Sequence, residues 1–410
     1  MQGGAITFDG ISWPPLVGIQ DGDYKLQRTK DALAALGNPH LQLKNVVHIA
    51  GTNGKGSLTA FTSSVLKANG YSCNVYTSPH LMKINERIKL HGEDIADTTL
   101  TSYAKEVYHK LKQHNLHNTL TFFEGMTVLM FYIFEKEKAD FNIVEVGLGG
   151  RFDATNVIEN PLVSVITSIS MDHQSYLGNT LSAIAGEKCE IIKPNSNAII
   201  GVQQSDNIYD VFQTKCKAVN ANGFVCRSVL HFGNKLDDTY QAQNATLALK
   251  TLELISQKLV VELKENVIEA IANTQWAGRM HNVFVHEISK NVMVDCAHNI
   301  DGISQFLEYI AKQRGTKVLI FGMLRRKVSD GIVELVQAAL IDGNLDGIIT
   351  VNFHGEECVE AVKLAEIIHH KQCTSAANMQ EALTPAQEFD EIFLCGSIYM
   401  VGEFLAYTSR

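Results

Sequence analysis

The 410-residue sequence has only 7 prolines and 2 tryptophans, no CxxC pair, no excess of basic residues and no long apolar run. Each shortage excludes something. Seven Pro against 30 Gly, with 45% apolar and 19% charged residues, rule out a collagenous, low-complexity or disordered chain. No apolar run approaches the roughly 18 residues of a membrane span, and the opening MQGGAITFDG lacks both the basic start and the about 7–15-residue apolar stretch of a signal peptide. The expectation is a chain with no membrane span or secretory leader, located in the cytoplasm. The eight cysteines, at positions 73, 189, 216, 226, 296, 358, 373 and 395, are scattered, so neither a zinc ribbon nor a disulfide framework is expected. With 35 Lys+Arg against 44 Asp+Glu, a net charge of −9 and no basic run, nucleic acid is not an expected partner.

What is there is length and alternation. A chain of 410 residues exceeds what one hydrophobic core usually supports, so two domains are expected. From residue 45, short β-branched runs alternate with helical patterns: NVVHIA (45–50), CNVYTS (73–78), FNIVEV (141–146), LVSVIT (162–167) and NAIIGV (197–202) read as strands, and 123–138 and 180–192 as helices. Periodicity lapses at TQWAGRMHNV (274–283). A second series then begins, with strands at 291–296, 317–322, 346–351 and 391–395 and helical stretches near 301–313, 329–341 and 358–370. The fold class expected is α/β in two domains: residues 1–280 as a larger, P-loop-like, mostly parallel sheet, and 281–410 as a smaller Rossmann-like domain.

The sharpest local signal is Gly51-Thr52-Asn53-Gly54-Lys55-Gly56-Ser57, set between a buried strand and a helix carrying Leu58, Phe61, Val65 and Leu66 at helical spacing. Glycines let backbone N–H groups converge on phosphate oxygens without Cβ clashes, and the helix N-terminus adds partial positive charge. Lys55 would reach the terminal phosphates of ATP and Ser57 would ligate Mg²⁺. The spacing is not that of a strict Walker A motif, which needs four residues between its glycines and a Ser or Thr directly after Lys. A glycine-rich turn with a lysine at its tip is the alternative.

Beyond that loop, YTSPHL (76–81), INERI (84–88), VEVGLGGRFDATN (144–156), MDH (171–173), GEKCEIIKP (186–194), QNA (243–245), WAGR (276–279), DCAHN (295–299) and GSIYMVGE (396–403) occur in the order seen in folylpolyglutamate synthase/dihydrofolate synthase proteins. The sequence resembles that family, part of the Mur-type ATP-dependent ligases, from about residue 24 to its C-terminus. The resemblance implies an ATP-driven amide bond: a folate-type carboxylate attacks the γ-phosphate, and the amino group of L-glutamate attacks the acyl phosphate so formed. It implies small-molecule partners only (ATP, L-glutamate and dihydropteroate or a folate), two Mg²⁺ ions with K⁺ as a further candidate cation, and a monomer.

Residue by residue, the resemblance implies that Ser57, Ser78, Glu145 and His173 are Mg²⁺ ligands, that Lys188 is carbamylated by CO₂, and that Asn244, Arg279, Asp295 and His298 contact nucleotide, His298 with glutamate as an alternative. Ser397 and Tyr399 are implied for the glutamate pocket. For the pterin and benzoate, Thr121, Phe123, Arg151, Asp153 and Ala154 lie in the matching segments, with Phe123 able to stack and Asp153 able to accept hydrogen bonds from the heterocycle. Arg87 is a candidate for a substrate carboxylate, or for a surface ion pair. Read without the resemblance, Glu145 is a strand-end carboxylate needing water, a partner or a metal. Lys188, between Glu187 and Glu190, then reads as an ordinary charge pair on a solvated helix face.

The sequence departs from the family pattern at Tyr240, where His is common, at Cys296, in place of Gly, and at FGMLRRKVSD (321–330), which puts Arg325 and Arg326 where a small and an acidic residue are usual. A Mur-type ligase for another carboxylic acid is a second reading, and a nucleotide-binding protein without catalysis a third. Glu145, His173 and Lys188 together weigh against the last, since a pure phosphate binder needs none of them.

Overall fold

Short runs apolar on both faces must be covered on both sides, which is the setting of a parallel sheet between helix layers. In the computed structural model, which describes residues 5–15, 26–259, 263, 267–355 and 357–409, tertiary contacts divide the chain into two units, Gly3–Thr274 and Gln275–Arg410. The first unit opens with an antiparallel hairpin, β1 (Ile6–Phe8) and β2 (Ile11–Trp13), Ile6 lying opposite Trp13. Its main sheet comprises β3 (Val46–Ala50), β4 (Cys73–Tyr76), β5 (Ile88–Leu90), β6 (Glu93–Asp94), β7 (Phe141–Glu145), β8 (Val163–Ile166), β9 (Asn197–Ile200) and β10 (Asn222–Val225). The spatial order is β10-β9-β8-β3-β7-β4-β5-β6, parallel from β10 to β4 and antiparallel at β5 and β6.

Along β3 the side chains alternate between the two faces of the sheet. Val47 and Ile49 pack with Leu58, Phe61, Val65 and Leu66 of the helix Lys55–Ala68, and with Leu252 and Ile255 of the helix Gln241–Leu259. On the opposite face, Val46 joins the core built on the helix Phe122–Lys136, and Ala50 the core around Ile184, Ala185 and Phe212. Sandwiched between helices, β3 and β7 are buried over their whole lengths.

The second unit has a six-stranded sheet made of β11 (His281–Val285), β12 (Lys290–Val294), β13 (Lys317–Phe321), β14 (Gly347–Val351), β15 (Cys373–Ala376) and β16 (Glu391–Cys395), in the order β11-β12-β16-β13-β14-β15. All neighbours are parallel except β11 and β12. The α/β class and the two parallel-rich sheets follow the sequence reading. Hydrophobic alternation does not signal β5, β6, β10, β11 or β15, and the burial of four of them explains why: β6, β10, β11 and β15 are sheet edges with exposed positions along their length. Among the described residues no helix is long and apolar enough to cross a membrane.

Candidate functional site

Parallel strands aim their carboxyl ends at one edge of a sheet, where open α/β folds place ligands. From β3 the chain turns through residues 51–54 into the helix Lys55–Ala68. At Gly54 φ is +86°, and a Cβ there would stand 2.1 Å from Oδ1 of the buried Asn244, so only glycine fits. The loop is zipped to the segment after β8: Thr52 N donates to the Ser168 carbonyl (2.8 Å), Thr167 Oγ1 to the Asn53 carbonyl (2.7 Å) and Thr52 Oγ1 to the Ser170 carbonyl (3.2 Å). Lys55 Nζ donates to the carbonyls of Gly51 (3.2 Å) and Thr52 (3.1 Å) and lies 4.0 Å from Glu145 Oε1. A helix N-terminus with a lysine at its mouth is suited to a phosphate chain.

The sheet order brings the other candidates to the same edge. β7 neighbours β3, with Glu145 opposite Ile49; β4 neighbours β7, with Tyr76 opposite Val144, so Ser78 leaves that edge two residues later. β8, on the other side of β3, leads to His173, which sits at φ 52° with its N–H on Asp172 Oδ1 (2.8 Å). Ser57 Oγ is buried and has no hydrogen-bond partner, and Glu145 is buried as well. An unpartnered hydroxyl and a buried carboxylate beside a phosphate loop are oxygen donors that suit a hard cation such as Mg²⁺. Among the described residues no three His, Cys, Asp or Glu side chains gather into a ready-made metal cluster.

Lys188 is not on a solvated face. It is buried near the end of the helix Leu181–Cys189, and its Nζ donates to the Gly51 carbonyl at 2.8 Å. The charge pair suggested by its flanking glutamates is absent because Glu187 and Glu190 pair instead with Arg151 (2.9 and 3.4 Å), and Glu190 also with Lys215 (2.9 Å). Burial first, and the Lys55 ammonium second, lower the Lys188 pKa from 10.5 to about 7.

The loop after β7 also differs from expectation. Asp153 Oδ2 accepts from the N–H groups of Gly147 (3.0 Å) and Leu148 (2.9 Å), and Oδ1 from Thr155 N (3.0 Å) and Oγ1 (2.5 Å). Four donors from its own loop fill the carboxylate, so Asp153 shapes the loop rather than offering acceptors to a heterocycle. Burial raises its pKa, against those four bonds. Thr121 caps the helix Phe122–Lys136 in a reciprocal box with Glu124, and Ala154 is buried. Phe123 is half-buried beside Tyr76, ring centroids 6.2 Å apart. Arg87 is buried rather than in a surface ion pair: its Nε donates to His80 Nδ1 (2.9 Å) and its guanidinium lies 5.3 Å from the Phe122 ring centre.

In the second unit, Asp295 follows β12 and is buried, its Oδ2 accepting from Met280 N and its Oδ1 from Ala297 N, both at 2.9 Å. His298 Nδ1 donates to the Cys296 carbonyl (2.7 Å). Arg279 is half-buried in the turn before β11. Ser397 precedes the helix Ile398–Thr408, its hydroxyl buried without a partner, while Arg326 pairs with the exposed Glu357 (2.7 Å). Sequence reasoning missed Thr167 and Gln203. The latter's amide bonds Ile169 N and the Thr167 carbonyl and so holds the segment leading to His173; nothing in the local sequence marks it.

A family model for the Mur ligase middle domain matches residues 49–284. The chain is 33% identical over 351 residues to the dihydrofolate synthase/folylpolyglutamate synthase of Bacillus subtilis, covering 78% of this chain and 79% of that protein. It is 30% identical over 421 aligned positions to the dihydrofolate synthetase of Saccharomyces cerevisiae, covering 93% and 96%. The structure of Mycobacterium tuberculosis folylpolyglutamate synthase complexed with ADP and AMPPCP superimposes with a TM-score of 0.81 at 26% identity, covering 94% of this chain and 96% of that one.

Proposed function

The chain belongs to the dihydrofolate synthase/folylpolyglutamate synthase family of Mur-type, ATP-dependent ligases, and on that premise we propose that it joins L-glutamate to dihydropteroate, to a reduced folate, or to both. The observation that carries this reading is the meeting, at one sheet edge, of the phosphate loop, Glu145 and a buried lysine whose Nζ reaches the loop's own Gly51.

The chemistry requires two anions, a carboxylate and a triphosphate, to approach each other, so cations must screen them. Lys55 is the ammonium placed for the terminal phosphates. Ser57, Glu145 and His173 would hold a first Mg²⁺, and Ser78 would contribute to a second; the bound ion supplies charge neutralisation on the transferring phosphoryl group. A substrate carboxylate oxygen attacks the γ-phosphorus, ADP leaves, and the acyl phosphate is attacked by the glutamate nitrogen. That nitrogen loses a proton, inorganic phosphate departs and the amide remains.

Lys188 serves as a carbamate. A neutral amine is needed to add CO₂, and a pKa brought to about 7 supplies it near neutral pH; carbamylation replaces a buried ammonium with an anion able to balance Lys55 and the cation. Phe123 and the loop carrying Arg151 and Ala154 form the pterin side of the site, with Asp153 holding the loop's shape and Arg87 buried below Phe122. Asn244, Arg279, Asp295 and His298 are assigned to the nucleotide, and Ser397 to glutamate.

Phosphate release from ATP by purified protein with Mg²⁺, L-glutamate and either dihydropteroate or tetrahydrofolate tests the reading. Release dependent on one or both pterin acids supports it. Release indifferent to both, or none with any carboxylic acid, overturns it.

A further inference from the structure

We propose that His48 is a positioning residue that locks the loop after β7, and with it the Phe123 wall of the acid-substrate site, onto the strand that carries the phosphate loop. This rests on the reading of that loop given above.

His48 is fully buried at the centre of β3, a polar side chain in an otherwise apolar strand, on the face between the cores of Val46 and Ala50. Its Nε2 lies 2.9 Å from Thr155 Oγ1. The single hydroxyl hydrogen of Thr155 points to Asp153 Oδ1, 2.5 Å away, so the hydrogen in the 2.9 Å contact comes from Nε2. That assigns the neutral tautomer with a bare Nδ1, and Nδ1 has no partner in the structure. Burial, reinforced by Lys193, lowers the His48 pKa to about 3, so the ring stays neutral across the working pH range.

The relay continues from Asp153 Oδ2 to the N–H groups of Gly147 and Leu148, two and three residues beyond Glu145. Gly147 is where the backbone meets the pterin wall: a Cβ there would stand 2.4 Å from Phe123 Cζ. Imidazole, hydroxyl, carboxylate and backbone amides thus form one line from β3 to the aromatic ring, in which the imidazole N–H strengthens the hydroxyl's own donation to the carboxylate that the two amides also share. The phosphate loop is held separately, by Thr167, Ser168 and Ser170. Loss of the imidazole N–H therefore loosens the pterin side without loosening the nucleotide side.

The test compares three variants. His48→Leu removes the donor; His48→Gln retains one, because its Nε2 is as many bonds from Cβ as the imidazole Nε2; His48→Asn places its amide where Nδ1 was and cannot reach Thr155. The expected result is a KM for the pterin acid raised about 2- to 10-fold in the Leu and Asn variants, KM for ATP within about 2-fold of wild type, and recovery in the Gln variant. Exchange of the Gly147 and Leu148 amides should quicken by a similar factor in Leu and Asn but not in Gln, a readout independent of any substrate. Should His48→Leu fail to fold, the Asn and Gln pair decides alone. Equal rises in both KM values, a Gln variant as impaired as Asn, or unchanged exchange at Gly147 and Leu148 would overturn the relay. A wild-type enzyme that ignores pterin acids, together with variants that show the exchange pattern, would overturn the substrate reading and leave the relay standing.

Discussion

Removing the Lys188 amine should stabilise the protein while abolishing its activity. In the unfolded chain this amine titrates near 10.5, and in the folded protein near 7, so between those values the folded state binds fewer protons. Stability therefore rises as pH climbs from about 7 towards 10.5, and the cost of burying the ammonium is present in full below about 7. A drop of that size corresponds to about 4–5 kcal/mol. Lys188→Met removes it, losing in exchange the bond to the Gly51 carbonyl, worth about 1 kcal/mol net. A net gain of about 3–4 kcal/mol at pH 6 would raise the unfolding temperature by several degrees. The same drop makes about half the amine neutral at pH 7, roughly a thousandfold more than for an ordinary lysine, which is what CO₂ addition needs. Scanning fluorimetry from pH 6 to 10 in CO₂-free buffer is expected to show a stability rise with pH in the wild type that is missing in Lys188→Met. Phosphate release should fall when CO₂ is stripped, return with bicarbonate and return faster above pH 7; Lys188→Ala should be inactive and partly rescued by short carboxylates. A Met variant less stable than wild type at pH 6, or activity in Lys188→Ala without additive, would refute the reasoning.

Three further outcomes are expected. Asp153→Asn turns an NH₂ group towards N–H donors at Gly147 and Leu148, or towards Thr155, and should cost about 1–3 kcal/mol in urea unfolding, with a higher KM for the pterin acid. Gly54→Ala adds a Cβ into Asn244 at a positive φ; ATP affinity measured by calorimetry should fall at least about tenfold, and an affinity within about twofold of wild type would show that the loop absorbs the added methyl. His173→Ala should lower kcat for phosphate release more than it weakens ATP binding, because cation positioning acts on charge developing in the transition state; equal losses would mark the histidine as structural.

The phosphate loop was legible because it is local: glycine spacing, the strand before it and the helix after it are consecutive in the chain. Glu145 stood out as a strand-end carboxylate, whereas Ser78 was picked out by the family resemblance; strand pairing brings both towards one edge. The setting of Lys188 was not legible. Its burial depends on the 147–151 loop closing over the helix: the Arg151 N–H donates to the Glu187 carbonyl and the Arg151 side chain draws both glutamates away. Asp153 looked available for a ligand because its four donors come from a loop whose curvature no periodicity encodes. His48 had a visible sign, a histidine amid NVVHIA, but its partner lies 107 residues away.

Thr52 and Asn53 are joined through backbone and side chain to Ser168 and Ser170, across a sequence separation as long as 118 residues. Two stretches so far apart in the gene form a single rim, and recombination should treat them as one cassette. A chimera whose crossover separates the two inherits mismatched halves of that rim even where every strand is matched. One that carries residues 51–173 as a block transplants the rim intact.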